Sequence, residues 1–258
     1  MNIAWDRRPA FWLAYVALAL ACLALAWRLM PAAIPIVELD ITMTRAQALA
    51  KGEALAAERK LAPVGARSAL VFNHDVVAQN YVELEGGGKA AFAALVAGGA
   101  YSPYWWDVRL FKPGAIEEAL IRFRPDGALD GFTRVVAETY VRDPATKALA
   151  PEAALALARE QATRDWNVDL TPFRLLDQAQ HAQTTGRADH RFVFERDEPR
   201  LGEARVRLQL VVTGDELTQV QYFLHVPESF GRRFQEMRSA NNTIATLASL
   251  SAGVLYGI

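Results

Sequence analysis

The strongest feature of the hydropathy pattern is a stretch with no charge. Between Arg8 and Arg28 every residue is uncharged, and Phe11 to Leu29 is almost continuously apolar. A bilayer core takes roughly 20 such residues as a helix. Aromatic residues stand near both ends (Phe11, Trp12 and Tyr15, then Trp27), where amphipathic rings favour the headgroup level. Arg7 and Arg8 precede the run, and the positive-inside bias then leaves the N-terminus cytoplasmic and everything after Pro31 extracytoplasmic. A cleaved secretory signal has a shorter apolar core, about 7–15 residues, and a small-residue cleavage site. Trp27-Arg28-Leu29-Met30-Pro31 offers none. Ala19-Leu20-Ala21-Cys22 has the form of a lipoprotein site, but the apolar run continues to Trp27. An uncleaved anchor in a bacterial inner membrane is the preferred reading, with a cleaved signal or a lipoprotein as alternatives.

From Ile41 the pattern alternates between helical and strand periods. Thr44-Arg45-Ala46-Gln47 has the capping-box form. A helix is predicted over Arg45 to Arg59, with Ala46, Leu49 and Ala50 on one face and Pro63 and Gly65 beyond its end. Alternating segments come next at Ala69 to Phe72 and Asn80 to Leu84, then a short helix over Ala90 to Val96 between Gly86-Gly87-Gly88 and Gly98-Gly99. Trp106, Val108 and Leu110 alternate as a strand, Lys112-Pro113-Gly114 turns, and Glu117 to Arg124 forms a second strand. Pro125-Asp126-Gly127 is a turn with a mechanism, a preset φ before residues tolerant of positive φ, and Leu129 to Val136 pairs back.

The same order then recurs. Pro151 stands at its favoured first helical position, and Leu155, Ala158, Ala162 and Trp166 form an apolar stripe. Strands are predicted at Phe173 to Leu176, Arg191 to Arg196, Glu203 to Val212 and Leu217 to Val226, with Gln178 to Ala188 as a polar loop. Trp106 to Val136 aligns with Arg191 to Val226. Each unit reads as one helix and then an antiparallel meander, an α+β layer architecture. The expected organisation is 1–36 anchor, 37–143 first α+β unit, 144–227 second unit, and 228–258 a lead-in helix with the start of a second transmembrane helix. Pro227 to Ala240 supplies the lead-in, with Phe230, Phe234 and Met237 on one stripe, and 243–258 carries no charge. A buried C-terminal helix is the alternative for that last stretch.

Composition narrows the function more than it identifies it. With 28 basic and 29 acidic side chains in 258 residues the chain is nearly neutral, which argues against nucleic acid as a partner. Cys22 is the single cysteine, so the exported part can hold no disulfide and no thiolate metal site. His74, His181, His190 and His225 show no zinc-ligand spacing; His190 and His225 border paired strands and are read as structural, and His74-Asp75 as loop polarity. Ser68, Ser102 and Ser229 lack a Gly-x-Ser-x-Gly setting. Glu83 and Ala90 stand where a phosphate loop around Gly86-Gly87-Gly88-Lys89 wants Gly and Ser or Thr. No catalytic, cofactor-binding or metal-ligating residue is assigned. The candidate binding surface is the aromatic group Tyr101, Tyr104, Trp105 and Trp106, for which core filling is the competing role.

Several segments carry a family likeness. Trp5-Asp6-Arg7-Arg8-Pro9-Ala10-Phe11-Trp12-Leu13-Ala14-Tyr15, Glu85-Gly86-Gly87-Gly88, Tyr101-Ser102-Pro103-Tyr104-Trp105, Phe223-Leu224-His225-Val226-Pro227-Glu228 and Arg232-Arg233 with Met237-Arg238-Ser239-Ala240-Asn241 resemble the N-terminal extension of long bacterial CPBP-family (CAAX-protease-like) intramembrane metalloproteases. The resemblance implies an inner-membrane protein whose exported region binds, gates or senses a peptide or protein substrate. It also implies a divalent metal, zinc, held only by a protease core that this chain does not contain. Glu117-Glu118-Ala119-Leu120-Ile121-Arg122 matches that family's Glu-Glu-x-x-x-Arg in letters, but its strand period sets it apart from a transmembrane helix, and no Phe here has His four residues later. The two repeated units are also similar in pattern to PepSY or cystatin-like modules, so a stand-alone membrane-anchored binding or inhibitory module is the second reading.

Overall fold

A computed structural model describes residues 9–33 and 39–256. The Arg7-Arg8 pair, the boundary placed at 36/37 and the final residues 257–258 lie outside the described residues. The chain forms two compact units, one within 1–41 and one within 42–258.

The first unit contributes one described helix, α1 (Pro9–Ala33). Its segment Pro9–Met30 is 22 residues long with mean hydropathy 2.1, long and apolar enough to cross a membrane, a description an N-terminal signal sequence also meets. Its large side chains point outward on every side, Leu13, Leu23 and Trp27 among them. A helix apolar all round is stable where its surroundings are apolar too.

The second unit is α+β. Its elements run α2 (Arg45–Glu58), β1 (Arg67–His74), α3 (Val76–Leu84), α4 (Gly88–Gly98), β2 (Tyr104–Phe111), β3 (Glu118–Phe123), β4 (Leu129–Val135), α5 (Pro151–Trp166), β5 (Arg174–Ala182), β6 (Ala188–Glu195), β7 (Arg205–Thr213), β8 (Glu216–His225) and α6 (Glu228–Tyr256). The strands form one eight-stranded antiparallel sheet in the order β1-β2-β3-β4-β8-β7-β6-β5. Two meanders therefore meet at β4 and β8, and that seam is short: Gly131, Phe132 and Thr133 face Gln221, Val220 and Gln219. Gly131 makes the seam possible, because a Cβ there would lie 2.3 Å from the Val220 carbonyl oxygen.

Strand alternation separates the sheet's two faces. One carries Val108, Leu110, Ala119, Ile121, Phe123 and Phe132, then Phe192, Phe194, Leu208, Leu210 and Val212, all in a single buried core with α2 and α5. Each fully buried Val, Leu, Ile or Phe side chain among these contributes about 1.5–3 kcal/mol over exposure. Both helices meet the sheet through small residues, Ala48, Gly52 and Ala56 on α2 and Ala154, Ala158 and Ala162 on α5. Trp166 of α5 stacks on Phe132 of β4, ring centroids 3.4 Å apart, and so bridges the seam from the helix side.

The opposite face is polar, with the pairs Arg109–Glu118, Asp107–Arg122, Arg207–Glu195 and Arg191–Asp177. The connection between the halves is strapped by buried Arg187. It donates to the carbonyls of Ala137 (3.1 Å) and Tyr140 (2.5 Å) and pairs with Asp189.

Local chemistry accounts for the helix starts. Thr44 accepts from the Gln47 amide (3.3 Å) while the Gln47 side chain accepts from the Thr44 amide (2.8 Å), completing the capping box. Pro151 opens α5 without a side-chain cap at Ala150.

The structure corrects several sequence expectations. Asn80 to Leu84 is the end of helix α3, not a strand; Asp75 caps it and Ala78, Tyr81 and Val82 are buried at helical spacing. The buried stripe of α2 is Ala48, Gly52 and Ala56, where the helix lies closest to the sheet; of the expected Ala46, Leu49 and Ala50, Leu49 is half-buried against the core beside it and the two alanines are exposed. On α5, Ala154 joins the buried stripe where Leu155 was expected, with Leu155 half-buried beside it. Gln178 to Ala182 belongs to strand β5, paired with Phe192 to Ala188; as an edge strand it needs no apolar alternation. The lead-in helix and the uncharged stretch form one helix, α6, continuous through Asn241-Asn242.

Candidate binding site

The four aromatic residues singled out above do not form one surface. The register pairs His74 with Tyr104 and Phe72 with Trp106, so Tyr104 and Trp106 lie on the helix-covered face and Trp105 on the polar face. Tyr101 and Tyr104 are buried, at 4% and 1% exposure. Trp105 and Trp106 are half-buried.

On the helix-covered face these residues build an aromatic strip along β1 and β2. His74 stacks on Tyr104 at 4.4 Å, Phe72 meets Trp106 edge-on at 4.7 Å, and Phe92 of α4 closes over Tyr104 at 6.3 Å. Three polar atoms in the strip, His74 Nε2, the Tyr104 hydroxyl and Trp106 Nε1, are buried and find no hydrogen-bond partner among the described residues. Buried polar groups are nearly always partnered, so three together mark a place where water or a ligand atom completes the bonding. Burial depresses the basicity of His74, and burial, then the nearby Glu83 carboxylate, pushes the Tyr104 hydroxyl upward. Both shifts favour the uncharged forms of these two side chains.

On the polar face a tight network surrounds Asp107. Its Oδ2 accepts from Asn73 (2.6 Å) and Trp105 Nε1 (2.8 Å), and its Oδ1 from Arg122 Nε (3.2 Å). The Arg122 guanidinium lies over the Trp105 ring, 4.2 Å from its centroid. Beside it, a small depression is lined by Leu120, Arg122, Gly131, Thr133 and Gln221. Sequence pattern gave no hint of Asp107 or Asn73, since their partners come from three strands.

Asp130, at the irregular step where the β3–β4 register shifts, is 8% exposed. Burial raises its carboxyl from the usual range to about 6, with Arg122 and Arg124 opposing and Asp107 and Asp126 adding to the rise. Asp75 is a helix cap rather than loop polarity: it accepts from the Ala78 amide (2.9 Å) and from the Tyr101 hydroxyl (2.5 Å). Burial and this carboxylate push the Tyr101 hydroxyl far above its ordinary value.

The remaining sequence candidates stay apart. His190 pairs with Val212 and His225 with Arg205, at opposite ends of β7. His190 contacts the Leu149 carbonyl oxygen at 3.0 Å. Glu118 and Arg122 share the polar face, but Glu118 pairs with Arg109 and Arg122 with Asp107. No protein-family model, no curated protein and no solved structure matches the chain.

Proposed function

We propose that the chain is the membrane-anchored, extracytoplasmic binding region of a CPBP-type intramembrane metalloprotease, built of two related helix-plus-meander units and flanked by membrane helices. It would bind, gate or sense a peptide substrate, with zinc and the catalytic groups belonging to the protease core. One observation carries this reading: the sheet unit receives and releases the chain at the same end, and α6 leaves it as an apolar arm. The Met43 amide bonds to the Pro125 carbonyl in the β3–β4 turn (2.9 Å), and β8, antiparallel to β4, ends at that same turn before α6 begins. Beyond Arg238 the arm is uncharged, with Ile244, Leu247 and Leu250 all exposed. Its hydroxyls bond back to carbonyls four residues earlier, Thr243 to Ser239, Thr246 to Asn242, Ser249 to Ala245 and Ser251 to Leu247. That arrangement suits a helix in lipid, where no water can partner a hydroxyl.

The first test extends the reading frame past Ile258. A downstream helical core bearing Glu-Glu-x-x-x-Arg and Phe-x-x-x-His supports the assignment, and its absence removes the protease while leaving the binding unit. A stand-alone binding module is the second reading, favoured by the unpartnered polar atoms of the aromatic strip. It predicts that Trp106→Phe, which keeps an aromatic ring against Phe72 but deletes the N–H, weakens capture of an exported partner by far more than the accompanying fall in Tm accounts for.

A further inference from the structure

The two outer edges of the sheet are built differently. Strand β1 ends the sheet on one side and, among the described residues, pairs with β2 alone. In an antiparallel edge strand every second residue turns both its N–H and its C=O away from the sheet. Proteins blunt such edges with charge, proline or a bulge. Strand β5 does so, with Asp177 next to a register shift. Strand β1 does not. Its pairing with β2 runs unbroken over eight residues, and Ser68-Ala69-Leu70-Val71-Phe72-Asn73 carries neither charge nor proline. No residue of β1 is fully buried, and Val71 is 52% exposed.

Size and chemistry limit what can cover this edge. Eight residues at about 3.4 Å each, with a sheet depth of about 10 Å, give a strip on the order of 300 Å². A stable complex of folded proteins buries about 800 Å² on each partner. The strip falls short of what a second copy needs. It suits one extended segment, whose own N–H and C=O groups complete the ladder. The side chains of β1 define what else that segment carries. Leu70 and Phe72 lie on the helix-covered face opposite Val108 and Trp106, so apolar residues beside them extend that layer. Val71 and Asn73 alternate onto the open face. His74, at the end of the edge, has Nε2 without a partner among the described residues, and Tyr104 stacks behind it at 4.4 Å. Tyr104 is 1% exposed and its hydroxyl also lacks a partner among the described residues, so this end of the edge is short of hydrogen bonds. We propose that β1 is the docking edge for an extended, uncharged peptide segment with apolar residues at alternate positions, which adds to the sheet as a further strand. The proposal rests on the reading of the sheet unit as a peptide-binding region and names the site and mode of binding.

Full-length chain in phosphatidylcholine nanodiscs is titrated with a fluorescein-labelled peptide of alternating Thr and Val, closed by Lys at each end. Anisotropy and hydrogen exchange are the readouts. The expected result is binding that protects alternate amides of β1 and is lost when two adjacent central residues of the peptide are N-methylated. V71K and A69K each supply the charge that β1 lacks and should weaken binding several-fold, whereas A179K on β5 should leave it unchanged. Val71, Ala69 and Ala179 are exposed, so an unchanged Tm verifies each fold. Peptide bound equally by wild type, V71K and A69K overturns the edge and leaves a peptide site elsewhere. Absence of binding to the wild type overturns the edge and the peptide-binding reading together. Outward amides of β1 already protected in the free chain mean that the edge is covered without a peptide, and overturn the proposal. Self-association that V71K abolishes gives the edge to a second copy, and overturns it too.

Discussion

The helix layers over the two halves of the sheet look alike, yet they are built to different tolerances. Helix α5 rests on its strands through Ala154, Ala158 and Ala162, each with room for a methyl group. Helix α2 uses Gly52 at the equivalent middle position, where a Cβ would stand 2.7 Å from Val108. At Gly52 the backbone of α2 thus meets the Val108 side chain directly, where α5 presents alanine methyl groups. The difference extends to the caps: α2 starts on a capping box and α5 on uncapped Ala150. Close packing and good capping fall in the half that also carries the α3–α4 insertion and the buried Asp107 and Asp130. Buried polar groups do not follow this division, since the second half buries Arg187, His190 and Glu195.

The contrast can be broken most forcefully where the halves join. Trp166→Ala removes the ring stacked on Phe132 across the seam and should cost about 3–5 kcal/mol in denaturant unfolding. Next comes Asp130. Its folded-state carboxyl lies near 6 against an ordinary 3.8, so the folded state binds the proton more tightly. Both states are protonated well below pH 4 and both ionised well above pH 6. The domain should therefore lose stability as pH rises from about 4 to 6, by on the order of 2–3 kcal/mol. D130N should flatten that slope in pH-dependent melting, and a slope unchanged in the variant would assign it to another group. Gly52→Ala should cost about 1–3 kcal/mol in the same denaturant assay, by overpacking against Val108. The caps give the smallest pair of effects: T44A should cost about 1 kcal/mol and A150S should gain about 0.5–1. Equal responses of the two helices to cap changes would remove that part of the contrast.

Much of the α+β layout was legible because its signals are local. Thr44-x-x-Gln47, Pro151, Pro125-Asp126-Gly127 and the alternation of β3 and β7 each act within a few residues, and each lies where the pattern placed it. The elements that pattern missed were set by partners distant in sequence. Asn80 to Leu84 is helical because Tyr81 is anchored to Glu203 and Ala204, more than a hundred residues away. Gln178 to Ala182 is a strand because β6 pairs with it, although its own side chains are polar. The seam between β4 and β8 has no sequence signature beyond Gly131. The aromatic group was visible as composition, but its division between two faces came from the register, which puts Trp105 beside Asn73 and Trp106 beside Phe72.

Strand β5 has a consequence that symmetry makes plain. It is a free edge of the sheet, almost fully exposed along its nine residues. Two identical edges usually close on each other antiparallel, and that pairing requires a two-fold axis perpendicular to the sheet. The edge carries its own guards against that pairing, the charged Arg174 and Asp177 and the register slip between Leu175 and Asp177.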